Sequence, residues 1–163
     1  MKGKLLKVCV MFIILMMSLV GTVYNITYAL SPSSDVIFEG MDVSAYQGYI
    51  DYSLVRNSGI EIVYIKASEG TTLEDPFFRI NYNNAKENGL KVGFYHFIRA
   101  RSEEEAIQEA EFFYRVISGT NPDCRLAMDF EVFGSLTREE INNISIAFLR
   151  ASFRINKKRV CCI

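Results

Sequence analysis

Short apolar runs, rich in β-branched and aromatic side chains, recur along the chain at Val36 to Val43, Glu61 to Ala67, Lys91 to Ile98 and Arg125 to Val132. Their lengths and the turn residues around them predict strands. The stretches between them carry apolar positions at helical spacing, with clear punctuation. Asp51 to Gly59 predicts a short first helix, and Asp75-Pro76 opens a second that Asn88-Gly89 closes. Ser102 to Glu105 reads as a capping box ahead of an apolar stripe of Ile107, Ala110, Tyr114 and Ile117, which Gly119 stops. A second box, Thr137 to Glu140, leads into Ile141, Ile144, Phe148 and Ala151. A last apolar run, Val160 to Ile163, predicts a fifth strand. Strands alternating with helices imply an α/β fold with a parallel sheet and helical crossovers.

In such folds functional groups collect at the carboxyl ends of the strands. Polar residues stand there in all four complete runs: Asp42 and Ser44; Lys66, Ser68 and Glu69; Tyr95 and His96; Asp129 and Glu131. The last pair is the most pointed, because Leu126-Ala127-Met128 leads straight into two carboxylates with one residue between them. Side chains two apart on a strand share a face, roughly 6.5–7 Å from each other along the backbone. Two like charges in poor solvent raise each other's pKa, and a retained proton is what protonating a leaving group requires. The plainer alternative is that both carboxylates cap the strand in solvent.

The amino terminus has a different pattern. Lys2, Lys4 and Lys7 precede an apolar stretch from Val8 to Val20, and Thr27-Tyr28-Ala29 supplies small residues at a cleavage point. This predicts a secretory signal peptide over residues 1–29, with an apolar run shorter than the ~20 residues that span a bilayer. Membrane contact is then limited to that segment before cleavage. Residues 30–37, with Ser31-Pro32-Ser33-Ser34, read as a linker. The rest, 38–163, is long enough for one domain with a real core.

Composition narrows the chemistry. The formal net charge is −1, with no basic stripe, which argues against a nucleic-acid partner. His96 is the single histidine, and the cysteines lack metal-ligand spacing, so no metal and no cofactor are expected. No G-x-S-x-G elbow or glycine-rich phosphate loop occurs, and Cys124 sits at the start of its strand, away from the site end. Carboxylate chemistry remains. Asp42, Glu69, Asp129 and Glu131 converge at one mouth in this reading, and paired carboxylates serve glycoside hydrolysis.

Four blocks, Met41 to Gly48 (MDVSAYQG), Tyr64 to Asp75 (YIKASEGTTLED), Gly93 to Phe97 (GFYHF) and Met128 to Glu131 (MDFE), together with Gly59, resemble the glycoside hydrolase family 25 lysozymes. The resemblance runs from about Gly40 to the last residue. It implies a TIM-like (β/α) barrel, incomplete here at about five strands and four helices. It also implies a secreted, cell-wall-associated muramidase that cuts the β-1,4 bond between N-acetylmuramic acid and N-acetylglucosamine in peptidoglycan glycan strands. Position by position, Glu131 matches the general acid, Asp129 its partner carboxylate, and Asp42 the aspartate ending the first strand. Tyr95 and Glu69 match groove-lining positions. Glu131 is then the protonated member of the pair, and Asp129 either steadies oxocarbenium-like charge or orients the 2-acetamido group.

Other positions carry two readings each. Lys66 either binds sugar or only neutralises neighbouring carboxylates, and Gln47 either contacts substrate or forms the turn with Gly48. His96 alternates with Tyr95 and is expected against a helix, while Asp75 and Thr137 are expected as helix caps. Against the family pattern the chain is short: Lys157-Lys158-Arg159-Val160 reads as the start of a strand cut off. A parallel barrel takes about eight strands to close, so the expectations divide between a working muramidase and a remnant that at most binds glycan.

Overall fold

The computed structural model describes residues 37–156 and 160–162. The predicted signal peptide and all but the last residue of the linker lie outside them. In order, the elements are β1 (Gly40–Val43), a 3-10 turn (Ala45–Gln47), α1 (Tyr52–Asn57), β2 (Ile62–Glu69), β3 (Leu73–Glu74), α2 (Phe78–Glu87), β4 (Lys91–Phe97), α3 (Glu103–Val116), β5 (Leu126–Asp129), α4 (Arg138–Asn156) and β6 (Val160–Cys162). Strands β1-β2-β4-β5-β6 lie side by side in that order, each pair parallel. The expected parallel α/β arrangement is therefore present. The closed barrel is not: the described strands form an open sheet, because five parallel strands are too few to curl back on themselves.

One strand was not expected. β3 turns back antiparallel on the end of β2, pairing Ser68 with Glu74 and Glu69 with Leu73. Gly70 makes the reversal possible by taking φ +56°, a left-handed conformation in which a Cβ would be strained.

Alternation along the strands sorts the sheet into two faces. Val43, Val63, Ile65, Val92, Phe94, Leu126 and Met128 belong to one continuous buried core, which they share with Phe78 and Ala85 of α2, Ala106, Ala110 and Phe113 of α3, and Ile144, Phe148 and Ala151 of α4. Phe78 meets Phe94 edge to face at 5.0 Å. The opposite face carries Asp42, Tyr64, Lys66, Tyr95 and Asp129, with Asp42 beside Tyr64 and Lys66 beside Tyr95 in register. Gly93 lies between them for a steric reason: a Cβ there would stand 2.5 Å from the Tyr64 ring. That ring crosses the gap and donates its hydroxyl hydrogen bond to the Arg125 carbonyl at 3.0 Å, bridging β2 to the approach of β5.

The helix ends follow their local chemistry with one exception, at α2. Thr137 and Glu140 form a reciprocal box, each side chain accepting from the other residue's backbone N–H. Asp51 caps α1 through Ser53 N and Leu54 N. Asp75 does not cap α2, which starts after Phe77 with no side-chain cap. The stripe of α3 is also rotated from its expected position: Ala106, Glu109, Ala110, Phe113 and Val116 are buried, while Ile107 is 40% exposed. Glu109 is drawn inward because the sheet offers it hydrogen-bond donors, described below.

Candidate active site

The polar mouth is assembled strand by strand. Near its end β1 presents Asp42, exposed to solvent, and Ser44 then orders the turn that follows. The Ser44 hydroxyl accepts from Tyr46 N at 3.1 Å, and Gln47 Oε1 accepts from Ser44 N at 2.8 Å. Gln47 is thus engaged in building the turn, the second of its two readings. Asp75 is buried and clamps this turn from across the chain: its two carboxylate oxygens accept from Ala45 N (3.0 Å) and Phe77 N (2.9 Å). A residue expected as a helix cap is instead the tie between the β1 loop and the β3–α2 segment.

β2 contributes through an irregularity. Its register against β4 slips between Lys66 and Ser68, leaving Ala67 as the extra residue of a bulge. Residues 66 and 69 would point to opposite faces of a regular strand; the bulge puts both on the mouth. There Lys66 Nζ contacts Glu69 Oε2 at 2.6 Å, and Arg99 Nε contacts Glu69 Oε1 at 2.6 Å. Both cations lie over the Phe97 ring, 4.8 and 4.7 Å from its centre. Burial pushes the Glu69 carboxyl up, but hydrogen bonds and charge from Lys66 and Arg99 outweigh it and hold the group below its ordinary range. Sequence reasoning missed Arg99 and Phe97; the available clue was a cation two residues past an aromatic at a strand end.

Tyr95 lies at the floor of the mouth, 8% exposed. Burial raises its phenol well above the usual range, and the negative charges of Asp42, Asp129, Asp75 and Glu131 raise it further. The charges of four carboxylates thus act on one neutral hydroxyl. His96, next in sequence, faces the other way and packs against α3 and α4, as expected.

Asp129 closes β5, paired with Phe97 of β4, and Glu131 follows two residues later in exposed chain. Burial comes first among the causes that push the Asp129 carboxyl up to about 6; the charge of Glu131 and a hydrogen bond with it come next, Lys66 opposes the rise and Asp42 adds to it. Glu131 lies close enough for its charge to act on the Asp129 carboxyl. The proton was expected on Glu131, whereas this geometry favours holding it on Asp129, since Asp129 is the more buried of the two. Of the seven predicted site residues, Asp42, Lys66, Glu69, Tyr95, Asp129 and Glu131 come together, and Gln47 stays in its turn. Among the described residues no three His, Cys, Asp or Glu side chains form a metal-holding group.

Comparison with known proteins gives one consistent result. The sequence model of glycosyl hydrolases family 25 matches residues 41–162. The autolytic lysozyme of Clostridium acetobutylicum is 40% identical over 125 residues, covering 77% of this chain and 37% of that protein. Lysozyme M1 of Streptomyces globisporus is 38% identical over 96 residues, covering 59% and 32%. Among solved structures, a family 25 glycosyl hydrolase from Bacillus anthracis superposes with a TM-score of 0.68 at 26% identity, over 77% of this chain and 59% of that one. The chain thus spans about a third of the length of these two lysozymes.

Proposed function

The chain belongs to glycosyl hydrolases family 25, and on that footing we propose that its polar mouth is a muramidase site. It hydrolyses the β-1,4 bond between N-acetylmuramic acid and N-acetylglucosamine in the glycan strands of peptidoglycan, outside the cell and at the wall. The observation that carries this reading is the Asp129–Glu131 pair at the carboxyl end of β5, where burial and the neighbouring charge push the Asp129 carboxyl up to about 6.

The two carboxyls titrate as a unit, so the shared proton belongs to the pair rather than to one residue. Glu131, exposed at the rim, passes that proton to the glycosidic oxygen as the bond breaks. Asp129 is then left as an anion, helped by Lys66, beneath the sugar ring that becomes positively charged. Asp42 adds negative potential from the neighbouring strand. Tyr95, kept neutral by its surroundings, offers a hydroxyl on the groove floor, and Glu69 and Lys66 line the wall beside it. Gln47 serves by holding the first loop in shape. Support for the substrate comes from the relatives, which are lysozymes by name.

The test is clearing of purified peptidoglycan by the full chain across pH 4 to 8. Activity is expected to fall as pH rises through about 6, because the pair must hold its proton. Glu131→Gln is expected to reduce clearing on the order of 10³-fold. Equal clearing by wild type and Glu131→Gln sinks the assignment, and a chain that binds glycan without cleaving it is a binding module instead.

A further inference from the structure

Behind the mouth, on the helix side of the same strands, lies a buried polar chain that the proposed reaction does not use. Ser68 Oγ is 2.8 Å from His96 Nδ1, and His96 Nε2 is 3.0 Å from Glu109 Oε2. Both Glu109 oxygens also accept from Arg99 N, at 3.2 and 3.1 Å. Ser68 and His96 are fully buried and Glu109 is 2% exposed. The imidazole lies 5.5 Å from the Phe113 ring and 5.4 Å from that of Phe148. Burial favours its neutral form. A neutral ring has one N–H, and a carboxylate can only accept, so that N–H is on Nε2 and Nδ1 accepts from the Ser68 hydroxyl. Serine, histidine and glutamate in a row suggest a nucleophile, but with no exposed atom at Ser68 no substrate can reach it.

What the chain of hydrogen bonds does is hold two pieces of backbone. Ser68 follows the bulged Ala67 and is paired with His96. In a regular strand residue 68 would face the mouth, on the side of Tyr64 and Lys66; its bond to His96 keeps it on the helix side and turns Glu69 to the mouth. At the other end Glu109 fixes Arg99 N, and the Arg99 guanidinium reaches Glu69 Oε1. Both ends of the network therefore converge on the same mouth carboxylate.

We propose that Ser68, His96 and Glu109 are positioning residues that set Glu69, and through it Lys66, beside the Asp129–Glu131 pair. The inference rests on reading that mouth as the glycosidase site. Disrupting the network displaces the bulge and the Arg99 backbone, and misplacement of about 1 Å near reacting groups is enough to cost up to ~100-fold in rate.

The experiment follows the Glu69 carboxyl by 13C NMR titration of the full chain, alongside peptidoglycan clearing and thermal melting. Wild type should titrate below the ordinary glutamate range. Ser68→Ala, which removes one hydroxyl, should move the midpoint up toward the ordinary glutamate range and lower kcat about 10-fold. Glu109→Ala should do the same, while Glu109→Gln, which keeps an acceptor for His96 and Arg99, should restore both readouts. A Ser68→Ala protein that melts lower yet keeps the wild-type Glu69 midpoint and kcat overturns the proposal, whether or not Glu109→Ala folds. If wild type clears nothing, the muramidase reading fails, and the Glu69 midpoint alone still decides whether the network positions that residue.

Discussion

Tyr95 and His96 are adjacent in sequence and polar, and both are buried, yet they occupy opposite kinds of environment. His96 faces the helices, where both ring nitrogens have partners and two phenylalanine rings flank it. Tyr95 faces the mouth, where burial and the charges of four carboxylates keep its hydroxyl neutral. On the helix face the His96 ring is fully partnered and so contributes order. The mouth half-buries a carboxyl among like charges, and burial first, then the neighbouring charge, pushes it up to about 6, which the fold holds in place for chemistry. One strand, with side chains alternating at period two, serves both purposes.

Truncating a side chain on each face should therefore give effects of opposite sign. Phe94→Ala, on the helix face beside Phe78 and Tyr82, is expected to lower unfolding free energy by about 3–5 kcal/mol, measured by denaturant titration. A loss under ~1 kcal/mol would mean this face is not the core. Gly93→Ala tests the boundary between the faces. Its methyl meets the Tyr64 ring, so a loss of about 1–3 kcal/mol is expected, and pairing it with Tyr64→Ala should recover part of that loss if the clash is its source.

The smallest effect is the most diagnostic. Between about pH 4 and 6 the unfolded Asp129 carboxyl is ionised while the folded one keeps its proton. The folded state then binds more protons, and its stability declines as pH rises through about 6. Asp129→Asn removes that decline. Relative to wild type it should gain on the order of 1 kcal/mol between pH 4 and pH 7, discounted for partial solvent screening, while losing activity. A flat difference across that range would mean Asp129 is not strained.

Much of this was legible because it depends on residues close together in sequence. Short apolar runs of β-branched and aromatic residues predicted the strands, and Thr137 with Glu140 predicted the start of α4, since a capping box spans three residues. The motif blocks predicted which carboxylates to examine. Asp75 was misjudged because an aspartate before a proline looks like a cap, whereas its second partner, Ala45 N, is thirty residues away. The α3 stripe lies elsewhere than expected because Glu109 is buried, and the donors that bury it come from β4 and the segment after it.

The amino-acid order by itself determined the alternation of strands and helices, their caps and the set of acidic side chains at the strand ends, because local hydrogen bonding and hydrophobic period act within a few residues. Tertiary structure alone decided the bulge that turns Glu69 to the mouth, the Arg99 partnership, the reversal at Gly70 into β3 pairing, and how deeply the Asp129 carboxyl is buried. Each of those depends on burial and on partners brought from distant parts of the chain. Desolvation and register are properties of the assembled sheet, and no single segment carries them.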